Sequence, residues 1–171
     1  GLHVSALLWR LQEPQRWEEY GGAMEMVEEL GVDSVGAACF ADHYDVAGDS
    51  FPRGSYAKAS AANFRAWDEA RQWKVPYVPN VTIGFDATAH CCPTDRFERR
   101  SYPWWPVLEG NTPAAVRSAF EHARTWLGRP ETKLKMMTIS SWNDWTHGAA
   151  LLPDHEHGAC YLEMLKRVFA R

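Results

Sequence analysis

Four successive apolar runs, each followed by a segment of helical periodicity, predict an α/β fold built of four βα units with parallel strands. Loop length sharpens the prediction. Connections from helix back to strand are short and those from strand to helix are long and polar, as in a (β/α)8 TIM barrel, where functional loops gather at the C-terminal ends of the strands. At 171 residues the chain holds one domain. A complete barrel takes about 250 residues, so four units amount to half of one. A small open doubly wound sheet is the alternative, but the strand ends lack the glycine-rich phosphate loop that such folds often carry.

The first strand is read over residues 2–8. After a loop containing Pro14, a helix places Trp17, Tyr20, Met24, Val27 and Leu30 on one stripe and stops at Gly31. The second strand covers 34–40, and a helix over 56–73 shares a face among Ser60, Phe64, Trp67 and Ala70. The third strand covers 75–83, where Pro76 and Pro79 predict that parts of its edge are not hydrogen-bonded. A long loop, 84–111, ends at Thr112-Pro113, an N-cap followed by proline at the first helical position. Val116, Phe120, Ala123 and Leu127 form the buried stripe of that helix, which Gly128 and Pro130 end. The fourth strand covers 134–140, and the closing helix, over 156–170, buries Leu162, Leu165 and Phe169. Half a barrel leaves two unpaired strand edges and an uncovered apolar interior, a hazard unless the missing half or a second copy of the chain closes it.

Composition narrows the partners. Eighteen basic against 22 acidic side chains, with no basic run, argue against nucleic acid or an anionic membrane surface. No apolar stretch approaches the roughly 18 residues of a membrane span. The chain opens on Gly1-Leu2-His3 without signal-peptide features, and because an upstream part can carry a targeting signal, localisation stays open. Cys39, Cys91, Cys92 and Cys160 lack zinc-site spacing. Cys39 and Cys160 read as free thiols in apolar surroundings. His90, Cys91 and Cys92 are three neighbours that seldom converge on one ion. No metal or cofactor is expected.

At the four predicted strand ends stand Trp9, then Asp42-His43-Tyr44, then Asp86, then Trp142-Asn143-Asp144-Trp145 with His147 close behind. Carboxylates and Asn bond sugar hydroxyls, while indole faces stack on the C–H faces of pyranose rings, so this set predicts a glycan site. Taken singly, an Asp or Asn at a strand end is as well explained as a turn cap; the joint position carries the argument. Trp17, Trp67, Trp73 and Trp126 fall within helices and read as core. Trp9, Trp104, Trp105, Trp142 and Trp145 lie on loops or strand ends and are the stacking candidates.

The segment Thr138-Ile139-Ser140-Ser141-Trp142-Asn143-Asp144-Trp145-Thr146-His147-Gly148, followed by Leu151-Leu152-Pro153-Asp154 and Gly158-Ala159-Cys160-Tyr161-Leu162-Glu163, resembles the C-terminal signature of the WbsX-like glycosyltransferases and of glycoside hydrolase family 99. Those families carry Asn-Glu-Trp-x-Glu-Gly at the end of a barrel strand, then Leu-Glu-Pro-Asp and a Gly-x-x-Tyr-Leu-Glu helix start. Gly84-Phe85-Asp86-Ala87-Thr88 is similar to their Gly-aromatic-Asp-x-Thr stretch. The resemblance implies the C-terminal half of a TIM barrel and an enzyme of mannose-type or polysaccharide glycans that needs no metal. It also implies a retaining mechanism in which one Glu deprotonates the sugar 2-hydroxyl and a second, three residues on, serves as acid and then base. Asp144 and His147 stand at those two positions, and Leu152 replaces the Glu of Leu-Glu-Pro-Asp.

Three readings follow: a glycan-processing enzyme, hydrolase more than transferase, with Asp144 and His147 as the catalytic pair; a degenerate barrel that binds glycans without turnover; and a metal-dependent hydrolase with Asp42, His43, Asp86 and His147 as ligands. The sequence expectation is that Trp9, Asp42, Tyr44, Asp86, Asn143, Asp144 and His147 point into one concavity, with room for a sugar between Asp144 and His147.

Overall fold

The computed structural model describes residues 1–9, 17–44, 51–100 and 102–170; the loop around Pro14 lies outside them. The backbone of the fold is a run of short parallel strands: β1 (Ser5–Leu7), β2 (Ser34–Gly36), then β4 (Tyr77–Val78) with β5 (Asn80–Thr82), and β7 (Thr138–Ser140). β1 pairs with β2, β2 with β4 and β5 with β7, all parallel, so spatial order follows chain order. Pro79 separates β4 from β5 because it has no N–H to give the ladder, although its carbonyl still accepts from Thr138 N. The expected third strand is therefore one path in two pieces. Between the strands come α1 (Ala23–Leu30), α2 (Tyr56–Ala70) and α3 (Pro113–Gly128), and α4 (Cys160–Phe169) closes the chain. The fold is α/β, with four helices and parallel strands.

Register sorts the side chains onto two faces, since successive residues of a strand alternate. Ala6, Val35, Tyr77, Val81 and Ile139 lie toward the helices and pack with Val27, Ala59, Trp67, Val116, Phe120 and Trp126 in one core. Apart from Leu7 and Val78, the opposite face is polar, contrary to the apolar interior expected from the sequence. There Asn80 Nδ2 donates to Thr138 Oγ1 at 2.9 Å and to Ser140 Oγ at 3.0 Å. Thr82 Oγ1 donates to Asn80 Oδ1 and accepts from Phe40 N, both at 2.8 Å. Ser34 Oγ donates to Ser5 Oγ at 2.9 Å. Alternation sends Ala6, Val35, Tyr77, Val81 and Ile139 to the helix side, while Leu7 and Val78 fall in register with Gly36 on the opposite face.

Caps explain the helix limits. Thr112 Oγ1 accepts from Ala115 N with Pro113 opening α3, as expected, and Ser55 does the same for α2 through Lys58 N. α1 is shorter than the sequence suggests. Gly21 and Gly22 adopt positive φ (80° and 141°) and break the segment, leaving Trp17 and Tyr20 at a separate 3-10 turn, Glu18–Tyr20. Tyr20 is accordingly exposed, and Leu30, the last residue of α1, is exposed as well. α4 starts at Cys160 rather than 156, because Asp154 Oδ1 accepts from Glu156 N at 2.8 Å and holds the preceding residues in a turn. Its deepest residues are Tyr161, Met164 and Val168, one position before the expected Leu162, Leu165 and Phe169, which are half-buried against the same core.

The long loops carry small structures of their own. β3 (Arg53–Ser55) and β6 (Val107–Glu109) pair in parallel, and β8 (Asn143–Asp144) pairs antiparallel with β9 (Ala149–Ala150) just beyond β7.

Candidate active site

The turn that carries the expected pair is held on three sides. Asn143 pairs with Ala150 and Asp144 with Ala149. Trp145–His147 form a 3-10 turn, which ends at Gly148 in a left-handed conformation (φ 57°) that favours glycine. Ser141 Oγ donates to Ala149 O at 2.9 Å, and Asp86 N, just past β5, donates to His147 O at 2.8 Å. The hairpin is thus fixed to the end of the neighbouring strand.

Within it, Asp144 and His147 bond directly. His147 Nδ1 lies 3.0 Å from Asp144 Oδ1 and 2.9 Å from Oδ2, and Thr146 Oγ1 donates to Oδ1 at 2.9 Å. An ionised carboxylate only accepts, so Nδ1 carries the proton and Nε2 of the neutral ring is an acceptor. Tyr102 Oη stands 3.0 Å from that Nε2. Burial pushes the Asp144 carboxyl upward, but hydrogen bonds from His147 and Thr146, with the charge the imidazole carries when protonated, outweigh it, and the group sits below the usual carboxylate range.

Aromatic rings surround the chain Asp144, His147, Tyr102. The His147 ring centroid is 4.6 Å from His90, 5.8 Å from Phe85 and 5.9 Å from Tyr102. Trp105 lies 5.7 Å from Phe85, 6.0 Å from Tyr102 and 4.9 Å from Trp9. One wall therefore joins the end of β1 to the turn after β7. Asp86 is beside it, with its Cβ 3.4 Å from an ideal Cβ position on Gly148 and its Oδ1 accepting from Thr88 N.

The remaining expected residues lie elsewhere. Asp42 is buried and accepts from Ala38 N at 2.6 Å and Cys39 N at 3.0 Å, which makes it a backbone anchor. Burial raises its carboxyl, with those amides opposing. His43 is in the core, Nε2 3.1 Å from Tyr77 Oη, and burial lowers it to about 4. Tyr44 is also buried, its hydroxyl accepting from Ser55 N. Asp42 and His43 are thus held by local partners that Asp86 and His147 do not share, and among the described residues no three His, Cys, Asp or Glu side chains gather as metal ligands. All four cysteines are free. The Trp104 ring faces the Arg100 guanidinium, 5.3 Å away. Asn143, Trp142 and Trp145 are exposed. Trp145 turns away to a cleft of about 470 Å³, between the starts of α3 and α4, lined also by Asn111, Thr112, His157 and Tyr161.

Tyr102 was not singled out from sequence, and Phe85 and His90, named only within a motif and beside the cysteines, were not among the expected site residues. All three stand in the loop after β5, where no periodicity ranks one residue over another. For Tyr102 the signal was the density of aromatics and prolines in Tyr102-Pro103-Trp104-Trp105-Pro106, from which only the tryptophans were singled out.

Two solved structures share the fold. Both are the GH99 endo-α-mannosidase from Bacteroides thetaiotaomicron, one in complex with bis-tris-propane, with TM-scores of 0.53 and 0.52 at 13% and 12% sequence identity. They match 99% of this chain, which spans only 45% and 43% of theirs. No curated protein matches. The model of the family described as Glycosyltransferase WbsX matches residues 49–165, which take in both the aromatic wall from Phe85 to Trp105 and the hairpin bearing Asp144 and His147. The chain belongs to that WbsX family.

Proposed function

We infer that this chain is the C-terminal half of a TIM-barrel enzyme that processes mannose-type or polysaccharide glycans, by glycoside hydrolysis in preference to transfer. The observation that carries the reading is the Asp144–His147 pair, bonded at 2.9 Å and walled by Trp9, Phe85 and Trp105 beyond the C-terminal ends of the strands. Carboxylate and imidazole beside an indole wall supply proton transfer and a stacking surface for a pyranose ring. The half-barrel is supported by parallel strands in chain order, by exposed Leu2, Val4 and Leu7 along the β1 flank, and by the 45% share of the structural relative that the chain spans. A missing N-terminal half, or a second copy, would cover that flank.

A carboxylate and an imidazole in direct contact leave no space for a sugar ring between them. The pair acts as a unit, unlike two carboxyl groups placed on opposite sides of a glycosidic bond. One observation favours the second reading, a glycan-binding barrel without turnover: both Asp144 oxygens already face donors from His147 and Thr146. The deciding experiment measures release of reducing ends from mannose-containing oligosaccharides by the complete protein and by its His147→Gln variant. Turnover lost in the variant supports the enzyme. Binding of the same glycans with no turnover in either protein replaces it with the binding reading.

A further inference from the structure

His147 has no free nitrogen. Nδ1 faces Asp144, and Nε2 faces the Tyr102 hydroxyl at 3.0 Å. Neither ring nitrogen is open to a ligand while these bonds stand. The outermost member is Tyr102, which is 45% exposed, whereas the His147 side chain is 22% exposed. Tyr102 is also part of the aromatic wall, at right angles to Trp105 and 5.9 Å from His90. Its ring is therefore positioned beside a ligand stacked on that wall, with its hydroxyl backed by a base.

We propose that Tyr102 is the catalytic residue that exchanges a proton with the reacting O–H group, a glycan hydroxyl or water, and that Asp144 and His147 work through it. In this step the reacting O–H breaks and its proton goes to Tyr102 Oη. The phenolic proton passes at the same time to His147 Nε2. The products are a neutral tyrosine, an imidazolium held against the Asp144 carboxylate, and an oxygen nucleophile carrying the released electron pair. The reverse transfer returns the proton when an O–H re-forms. No group beyond the three side chains and the reacting oxygen is needed. Asp144 fixes the tautomer and balances the charge on the imidazolium, the orienting role a buried carboxylate plays beside a histidine base.

This inference rests on the glycan-enzyme reading, so the test has one arm that needs no substrate. Nitrogen NMR of the His147 ring in the complete wild-type protein should find the proton on Nδ1 and Nε2 as the hydrogen-bonded acceptor. Tyr102→Phe should move the Nε2 resonance and leave Nδ1 bonded to Asp144. A proton resident on Nε2, or an Nε2 signal indifferent to Tyr102→Phe, overturns the relay. In the complete protein, Tyr102→Phe should lower kcat on oligosaccharide at least 100-fold while KM changes less than threefold, about the lower bound for general acid–base catalysis. A fluorotyrosine at 102, whose phenol is more acidic, should displace the pH–rate profile to lower pH, which a purely structural role would not do. Turnover that survives Tyr102→Phe rejects Tyr102 alone and leaves the enzyme reading standing. Absence of turnover in the wild type, with the NMR pairing intact, rejects the enzyme reading and the catalytic role together.

Discussion

Gly84 and Gly148 meet backbone to backbone: a Cβ on Gly84 would sit 2.4 Å from the Gly148 carbonyl oxygen and 2.8 Å from Asn111 Nδ2. Neither neighbour gives way easily, because Gly148 is held at φ 57° by the hairpin and Asn111 Nδ2 donates to Ile83 O at 3.1 Å. Gly84→Ala should therefore push the Asp144–His147 turn away from the strand. Overpacking of this kind costs about 1–3 kcal/mol, and denaturant unfolding should record it together with loss of any activity. Gly128→Ala, at the end of α3 with nothing within 4 Å, is the control and should be neutral or stabilising. Equal midpoints for the two variants would contradict the close approach.

The polar face of the sheet yields a second test. Thr82 is fully buried and its hydroxyl is the acceptor for Phe40 N. Thr82→Val keeps the shape but leaves that amide and Asn80 Oδ1 without the bonds they now make, at a cost of about 1–3 kcal/mol. Thr82→Ser retains the hydroxyl and should lose less. A valine variant as stable as wild type would show that the network contributes nothing.

These two sites also mark what was legible in advance. The four βα units, the Thr112-Pro113 cap and the Gly31 stop follow from periodicity and local backbone chemistry, which a sequence displays directly. The facing of the strands did not, because three-residue strands such as β5 are too short for alternation to reveal which side meets the helices. Asp144 and His147 were legible through their motif as candidates, and the structure brings the two side chains into contact. Tyr102 was not: it reaches His147 across 45 positions, a contact set by how a long loop folds. Asp42 and His43 carried the right chemistry at a strand end, yet the 3-10 turn from Phe40 to His43 turns them inward.

His43 should make stability fall in mild acid. Its folded value, about 4, is depressed below the ordinary histidine value near 6.5, so the buried ring is held neutral. Stability is full above about pH 6.5 and declines as pH falls toward 4, because the unfolded chain takes up the proton first. Between pH 7 and pH 5 the loss is about 2 kcal/mol. Asp42, raised by burial, changes in the opposite sense, so the comparison that isolates His43 is wild type against His43→Gln. The variant should be less stable at pH 7 and flatter across the range. Parallel pH curves would mean that His43 is not the group responsible.

The bond between Asp144 and His147 predicts how their substitutions combine. If Asp144 acts only by orienting and balancing His147, removing it after the histidine has gone should cost nothing further, as happens when residues work as a unit. His147→Gln should lower kcat roughly 100- to 10,000-fold, Asp144→Ala by a similar or smaller factor, and the double variant by no more than the worse single. Two groups acting at separate points on a sugar would instead multiply their losses, and the double variant would fall by the product of the two factors. The double-mutant cycle on complete protein, with glycan binding measured in parallel, reads the difference directly. Replacing both residues by glutamate, as Asp144→Glu with His147→Glu, gives the complementary result. It puts glutamate at both positions where the resemblance implies it and abolishes the imidazole bridge, so activity should then become independent of Tyr102→Phe. Activity of the double glutamate variant that still depended on Tyr102 would mean that the tyrosine serves the glycan by itself, without His147 behind it.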